Sequence, residues 1–445
     1  MTAPLGAVAQ HLAALFERAA VIPGGDQLTV MRKSVAQQLG FDPLTREGLL
    51  QAGLDPDRGA ALALFLPDWK VALPLTRPEV FSQTAQRIFV DRFGAGPHAT
   101  VKWAVVKGYG LLARGEQPLT VPDKPLSQAA GMQAAKAQLG AQDFVVWAPA
   151  GSALPRRYAK RPLPGDAAVA LQTAASGLAL RLWVNALDAR AELPGGGSAL
   201  VALLPPDAPV KMRLGLSPEE LLKQARQDAG LAALLDKLGG ADAQALASVA
   251  PGVAISLGVL PTANIGAAID NGFDVRKRSP FETVQLVALA QVTDRPRLVK
   301  ALADIAGKLP QFGARAVRSG DDFRVTYPAG AGPRFGVRDD IQAGGKPVAY
   351  LLGGSLKPED LKPGPRGSDA LWQDEGASVH ADLSRLAAQV AALPETAYGS
   401  GPQSYVARSL VSQVIEPLKV LKLKLAAQAY ADHFGGTLSV EIAPP

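Results

Sequence analysis

Few side chains in this sequence have the types and spacing that chemistry needs, and His380 stands closest to a reactive arrangement. It lies in Ser378-Val379-His380-Ala381-Asp382, with Ser384 just beyond. The alternation predicts a strand that puts His380 and Asp382 on one face, where the carboxylate would orient the ring. With Ser384 as nucleophile this would be a hydrolase. Three triad members so close in sequence fit the geometry poorly, however, and the chain has no Gly-x-Ser-x-Gly elbow. The plainer reading is a hydrogen-bonded surface pair. The other histidines are His11, His98 and His433, and no two of the four fall at the i, i+4 spacing of a zinc-binding helix.

Other candidates fall away on inspection. Asp55-Pro56-Asp57-Arg58-Gly59 lacks the third ligand and the distal Glu of a calcium loop, and Arg58 opposes a cation, so it reads as a turn. Asp321-Asp322 and Asp339-Asp340 are adjacent carboxylates that a strand would send to opposite faces, so they read as turn markers. Gly344-Gly345-Lys346 is followed by Pro347 and lacks the upstream glycine of a phosphate loop. Gly108-Tyr109-Gly110 falls inside an expected hairpin, away from any strand-to-helix turn. No catalytic, metal or cofactor residue is therefore assigned. Trp69, Trp103, Trp147 and Trp183 fall on apolar strands and offer either an aromatic-lined surface for a ligand or partner, or core filling between sheet and helices; Trp372 stands alone further on.

The elements that would position these residues form two similar series. Pro74-Leu75-Thr76-Arg77-Pro78-Glu79 and Val292-Thr293-Asp294-Arg295-Pro296-Arg297 each sit between an apolar strand and a helical pattern. Thr or Asp supplies an N-cap oxygen, and Pro falls in the first turn, where its missing N–H is harmless. Hairpins follow both helices, turning at Lys107-Gly108 and Gly320-Asp321. Single strands come next, 144–148 and 348–353. Closing hairpins turn at Ser176-Gly177 and at Gly435-Gly436, the latter after Leu421, Leu423 and Leu425 alternate with Lys422 and Lys424. The openings look alike too, with Ile22-Pro23 leading into 28–32 and Leu204-Pro205 into 210–216. Asp42-Pro43 is expected to open a helix that Gly53 stops, and Asn271-Gly272 to make a hairpin turn. Longer helices are expected at 217–238 and 403–418. The predicted fold is α+β, with two related copies of mostly antiparallel sheet and helices packed on one face. The copies span 1–192 and 199–445, joined by a Gly-rich linker at 193–198.

Composition bounds the rest. The chain has 445 residues, 48% of them hydrophobic and 19% charged, the balance of a globular protein with a sizeable core. It contains no cysteine, which excludes disulfides, thiolate metal sites and a cysteine nucleophile. The formal charge of +6 is modest for this length. Its densest clusters, Arg156, Arg157, Lys160 and Arg161, and then Arg276, Lys277 and Arg278, hold only Tyr158 as an aromatic. They read as solvated turns, and nucleic acid is not an expected partner. No apolar run is long enough for a transmembrane helix. No export signal is visible at 1–20. The chain is expected in the periplasm or at the outer membrane if such a signal has been trimmed, and otherwise in the cytoplasm.

The pattern resembles a family of uncharacterised, lipoprotein-like bacterial envelope proteins of duplicated α+β build. The resemblance is carried by Ile22-Pro23, Leu204-Pro205-Pro206-Asp207-Ala208, Gly40-Phe41-Asp42-Pro43, Leu54-Asp55-Pro56, the two strand-to-helix turns and the closing hairpin. It implies an exported protein and brings no activity, no cofactor and no catalytic position. The leading expectation is a non-enzymatic binding or scaffolding protein of the cell envelope with an envelope protein as partner. The alternatives are a carrier of an apolar ligand such as a lipid, and a hydrolase using Ser384, His380 and Asp382. Oligomeric state is not legible.

Overall fold

A computed structural model describes residues 1–20, 22, 25–65, 68–92, 101–116, 118–121, 128–140, 142–152, 165–185, 195–266, 279–328, 330–365, 367, 370–373, 376–399, 402–429 and 433–442. The two basic clusters, His98 and the Asn271-Gly272 turn lie outside the described residues. The chain forms two compact units, Met1–Ala186 with Thr437–Pro445, and Leu187–Gly436. Every strand pairing with a described register is antiparallel, and helices and strands alternate along the chain, so the class is α+β. Among the described residues no helix is long and apolar enough to cross a membrane.

The first unit begins with helices α1 (Leu5–Ala19), α2 (Asp26–Leu39) and α3 (Arg46–Gln51). Strands β1 (Ala61–Phe65) and β2 (Asp68–Pro74) follow, then α4 (Pro78–Gln86), β3 (Val101–Val106) and β4 (Tyr109–Arg114). These strands form a sheet in the order β1-β2-β4-β3. Lys107 and Gly108, with φ of 51° and 77°, close the β3–β4 hairpin in the left-handed conformation that a tight two-residue turn requires. Phe81 and Ala85, one turn apart on α4, are buried with Ala9, Leu49, Leu54 and Leu112. Burial of Phe81 or Leu112 stabilises the unit by roughly 2 kcal/mol each. The remaining elements are α5 (Ala130–Leu139), β5 (Phe144–Ala148), β6 (Ala167–Ala174) and β7 (Gly177–Asn185), which share a second core around Met132, Ala135 and Trp183.

The second unit contains α6 (Ser198–Val201), β8 (Val210–Leu214), α7 (Pro218–Ala225), α8 (Ala229–Leu238), α9 (Ala241–Leu246), β9 (Val249–Val259) and β10 (Val284–Val292). Then come α10 (Arg295–Lys308), β11 (Arg315–Ser319), β12 (Asp322–Tyr327), β13 (Gly330–Ala343), β14 (Lys346–Gly353) and β15 (Ala377–Asp382). It ends with α11 (Leu383–Ala391), α12 (Pro402–Ile415) and β16 (Leu421–Ala429). Its strand order is β11-β12-β13-β14-β10-β9-β8-β15-β16. The last strand, β17 (His433–Ile442), counts with the first unit from Thr437 onward, where Ile442 N–H donates to Ser176 O.

Several local expectations change in the folded chain. Helices cover both faces of the second sheet. Val348, Tyr350 and Leu352 pack under the 198–204 segment, while Ala349 and Leu351 on the other face meet the α10 side. Both parities of β14 are apolar, so both faces need cover. The helix expected at 217–238 is two helices, α7 and α8, and 403–418 is α12 followed by a 3-10 turn at Glu416–Val420. Asp294 caps α10 by accepting from Arg297 N–H, but Thr76 does not cap α4. Its hydroxyl donates instead to Leu54 O at 3.1 Å, and Arg77 takes the cap position. Thr45, not Asp42, caps α3. The openings differ, since 28–32 is helical in α2 whereas Val210–Leu214 is β8. Asp339 and Asp340 lie within β13 rather than in a turn, and Gly435 and Gly436 lie within β17.

The glycines at the expected linker are packed rather than free. Gly195, Gly197 and Ser198 are buried, and Gly195 N–H donates to Gly215 O. Gly196 and Gly252 have φ of 100° and 89°, and a Cβ on Gly252 would stand 2.3 Å from the Gly196 carbonyl carbon. Only glycine fits so close an approach of two backbones.

The two strand–helix–hairpin series also connect differently. In the first unit β4 pairs directly with β2. In the second, β13 and β14 stand between β12 and β10.

Candidate functional site

His380 lies in β15, directly opposite Lys211 of β8 on one side and Lys424 of β16 on the other. Directly opposed residues of antiparallel strands share a face, with Cβ atoms about 5 Å apart. The next row on that face is Arg213, Ser378 and Ala426; on the other side of His380, Asp382 is opposite Lys422. Beyond β8 the same rows continue as Ser256 and Ala254 on β9, then Val287 and Leu289 on β10, which belong to the apolar core. One sheet face thus passes from an apolar half into a cationic half.

Asp382 is the N-cap of α11. Its Oδ1 accepts both the Ser384 hydroxyl and, at 3.0 Å, the Arg385 N–H. Burial alone would push its pKa up. The Ser384 and Arg385 hydrogen bonds, with the charges of Lys422 and Arg385, outweigh that and hold the carboxyl below its ordinary value. The Ser384 proton is committed to this cap, whereas a nucleophilic serine gives its proton to an imidazole. Lys211 Nζ donates to Pro206 O at 3.1 Å. Arg213 is 1% exposed and donates from one guanidinium nitrogen to Gly196 O at 3.1 Å and Gly376 O at 2.9 Å.

The tryptophans divide between two cores. Trp69 on β2 and Trp103 on β3 pack against the α1/α3/α4 cluster; Trp147 on β5 and Trp183 on β7 pack with α5. Trp372 packs against the core beneath α6. The indole N–H of Trp147 is buried and has no hydrogen-bond partner among the described residues.

Sequence reasoning missed the second histidine–aspartate pair. His11 of α1 meets Asp143, just before β5, with Nδ1 3.1 and 3.3 Å from the two carboxylate oxygens. Asp143, whose side chain is 7% exposed, also accepts the Thr173 N–H and hydroxyl, each at 2.6 Å. Burial pushes Asp143 up, but the two Thr173 hydrogen bonds and His11 prevail and keep its carboxyl below the ordinary range. The partners are 132 and 30 positions apart, so no local pattern marks them.

The adjacent carboxylates are also matched with cations. Arg295 bridges Asp321 and Asp339, and Arg338 bridges Asp340 and Glu359. Burial, with Asp322 accepting from its hydroxyl at 2.7 Å, pushes the Tyr350 phenol up.

Two surface features complete the inventory. A cleft of about 620 Å³ lies beside α1 and α3, lined by Gly6, Ala7, Gln10, Ala14, Arg46 and Asp57 among others. Its Arg46–Asp57 pair is bidentate, at 2.8 and 2.7 Å, and belongs to the turn anticipated at 55–59. On α12, Ala407, Val411 and Ile415 face inward, while Tyr405, Val406, Leu410 and Val414 are exposed. Val406, Leu410 and Val414 recur every fourth residue and form an apolar stripe just over two turns long. Comparison with known families, curated proteins and solved structures returned no match to this chain.

Proposed function

We propose that this is a non-enzymatic binding or scaffolding protein of the bacterial cell envelope, and that it binds through the outer face of α12. The carrying observation is the exposed stripe Val406-Leu410-Val414, with Leu410 54% exposed, on a helix whose opposite side packs into the unit. A contiguous apolar patch of this kind is characteristic of interaction surfaces. The polar groups closest to a catalytic arrangement support the same reading, because they are engaged in structural contacts. Asp382 caps α11 and Asp143 clamps Thr173 and His11.

The envelope location rests on the sequence resemblance alone. Derivation of the two units from one duplicated plan is part of the proposal. Each has a strand running into a proline-opened helix and then a hairpin, and β13–β14 would be an addition in the second.

The test is photo-cross-linking from position 410 in native envelope extracts. A discrete protein adduct, lost in Val406→Asp/Val414→Asp, supports the reading. Absence of any adduct, or turnover by pure protein that disappears in His380→Ala, contradicts it.

A further inference from the structure

We propose that the open face of β11, β12 and β13 binds a small soluble phosphate, inorganic or a monoester, with Arg315, Arg324 and Arg334 as its ligands. The register supplies the first observation. Arg324 stands directly opposite Arg334 on one side and Val317 on the other. Thr326, the next residue of β12 on this face, is opposite Arg315. Three arginines from three adjacent strands thus meet on one face around Arg324 and Thr326. A guanidinium stays charged at any pH the fold survives. Like charges directly opposite destabilise a sheet, so folding alone does not favour the Arg324–Arg334 pair.

The second observation is how these arginines differ from their neighbours. Arg318 on β11 and Arg338 on β13 each meet a carboxylate. Among the described residues the side chains of Arg315, Arg324 and Arg334 have no hydrogen bond, ion pair or ring contact. Charge on an outermost strand guards its edge against pairing with another chain, which accounts for Arg315 on β11. β12 and β13 are interior strands, so Arg324 and Arg334 have no such role.

The surroundings fix where a ligand sits. Phe323, Val325 and Phe335 turn the opposite face toward α10, while Arg315, Val317, Arg324 and Thr326 are exposed and Arg334 is half-buried. Between the Arg324–Arg334 and Thr326–Ala331 pairs β13 carries one extra residue, a bulge of the kind that re-aims the side chain beside it. Asp322, one row away on the same face, accepts the Tyr350 hydroxyl across Gly336. Its charge repels an anion from that end, so the ligand sits toward Arg315 and Thr326. Adjacent strands are about 4.8 Å apart, which lets the long side chains of β11 and β13 reach one anion above β12.

The donors select the ligand class. Each guanidinium presents a planar fork that pairs with oxyanion oxygens. A tetrahedral phosphate offers oxygens in three directions at once, whereas a carboxylate offers two in one plane. No ring is available for a base to stack on, since Phe323 and Phe335 belong to the covered face and Tyr350 is 4% exposed. Val317 gives this face far less apolar surface than a membrane-bound helix presents. The inference does not rest on the α12 reading.

The test titrates inorganic phosphate into the intact protein by calorimetry, with sodium chloride holding ionic strength constant. Saturable binding is the expected result. Arg324→Gln and Arg334→Gln each weaken it by about tenfold. Arg324→Lys keeps the charge without the fork and recovers only part of that loss. Arg318→Gln, on the other face, leaves the affinity unchanged. Urea unfolding establishes that each variant is folded, and phosphate raises the midpoint of wild type but not of Arg324→Gln/Arg334→Gln. Absence of saturable binding overturns the proposal, as does unchanged binding by the folded double variant or equal weakening by Arg318→Gln. Capture by phosphatidylglycerol vesicles without a response to free phosphate overturns it too, because the ligand is then a lipid surface.

Discussion

The protein places a histidine and an aspartate together in two regions, one in each unit, and treats them in opposite ways. At Asp143 both carboxylate oxygens are engaged. One oxygen takes both donors of Thr173, and His11 approaches the carboxylate from α1. Around His380 the row neighbours are lysines on both sides, and the carboxylate two residues away is spent on a helix cap. Matched buried groups are what a fold needs to hold a helix against a strand. The difference is that Asp143 spends its carboxylate on joining a helix to a strand, whereas Asp382 spends its own on starting a helix.

The largest expected effect comes from breaking the matched side. Asp143→Ala strands the Thr173 donors in the interior and should lower unfolding free energy by about 3 kcal/mol in a urea titration. Thr173→Val keeps the shape and one N–H bond, and should lose about 1.5 kcal/mol in the same assay. Acid should act on the same contact. The folded carboxyl is held below its ordinary value of 3.8, so the native state binds fewer protons than the unfolded one in that window. Its stabilisation is complete above the ordinary value and disappears as pH falls through the lowered one. Asp143→Asn should therefore flatten the acid limb of a stability-versus-pH curve, and an unchanged limb would show that the clamp carries no linkage. On the exposed side chain of Lys424 the effect should be smaller, with Lys424→Gln changing stability by no more than about 0.5 kcal/mol. The smallest effect is that of Ser378→Ala, within about 0.5 kcal/mol of wild type because no hydrogen bond is lost.

What the sequence made legible was local. Strands 144–148 and 421–429 have the limits expected from their apolar patterning, and the Lys107-Gly108 and Gly320-Asp321 turns close the hairpins assigned to them. Turn conformation and alternation act over a few residues, so they are written in a few residues. The cap at Asp294 was readable for the same reason, whereas Thr76 was diverted by Leu54, 22 positions away. Glycine composition misled at 195–198, where positive φ serves close packing against Gly252 rather than flexibility.

The candidate site was half visible. The alternation of Lys422 and Lys424 and the strand through His380 were expected, but no pattern in one segment could show that Lys211 would stand opposite. The Asp143 clamp was invisible because its partners come from α1 and β6. Which face of a sheet a helix covers, and which strand enters between two others, are likewise decided by pairing across long stretches of chain.

The contrast between the two aspartates is tested most directly by one pair of urea unfolding curves, those of Asp143→Ala and Asp382→Ala. Asp143→Ala should lose about 3 kcal/mol, because it strands the buried Thr173 donors, and Asp382→Ala should lose about 1 kcal/mol, the usual cost of a lost helix cap. Equal losses, or a larger loss in Asp382→Ala, would contradict the assignment of the Asp143 clamp as the contact that joins α1 to β6.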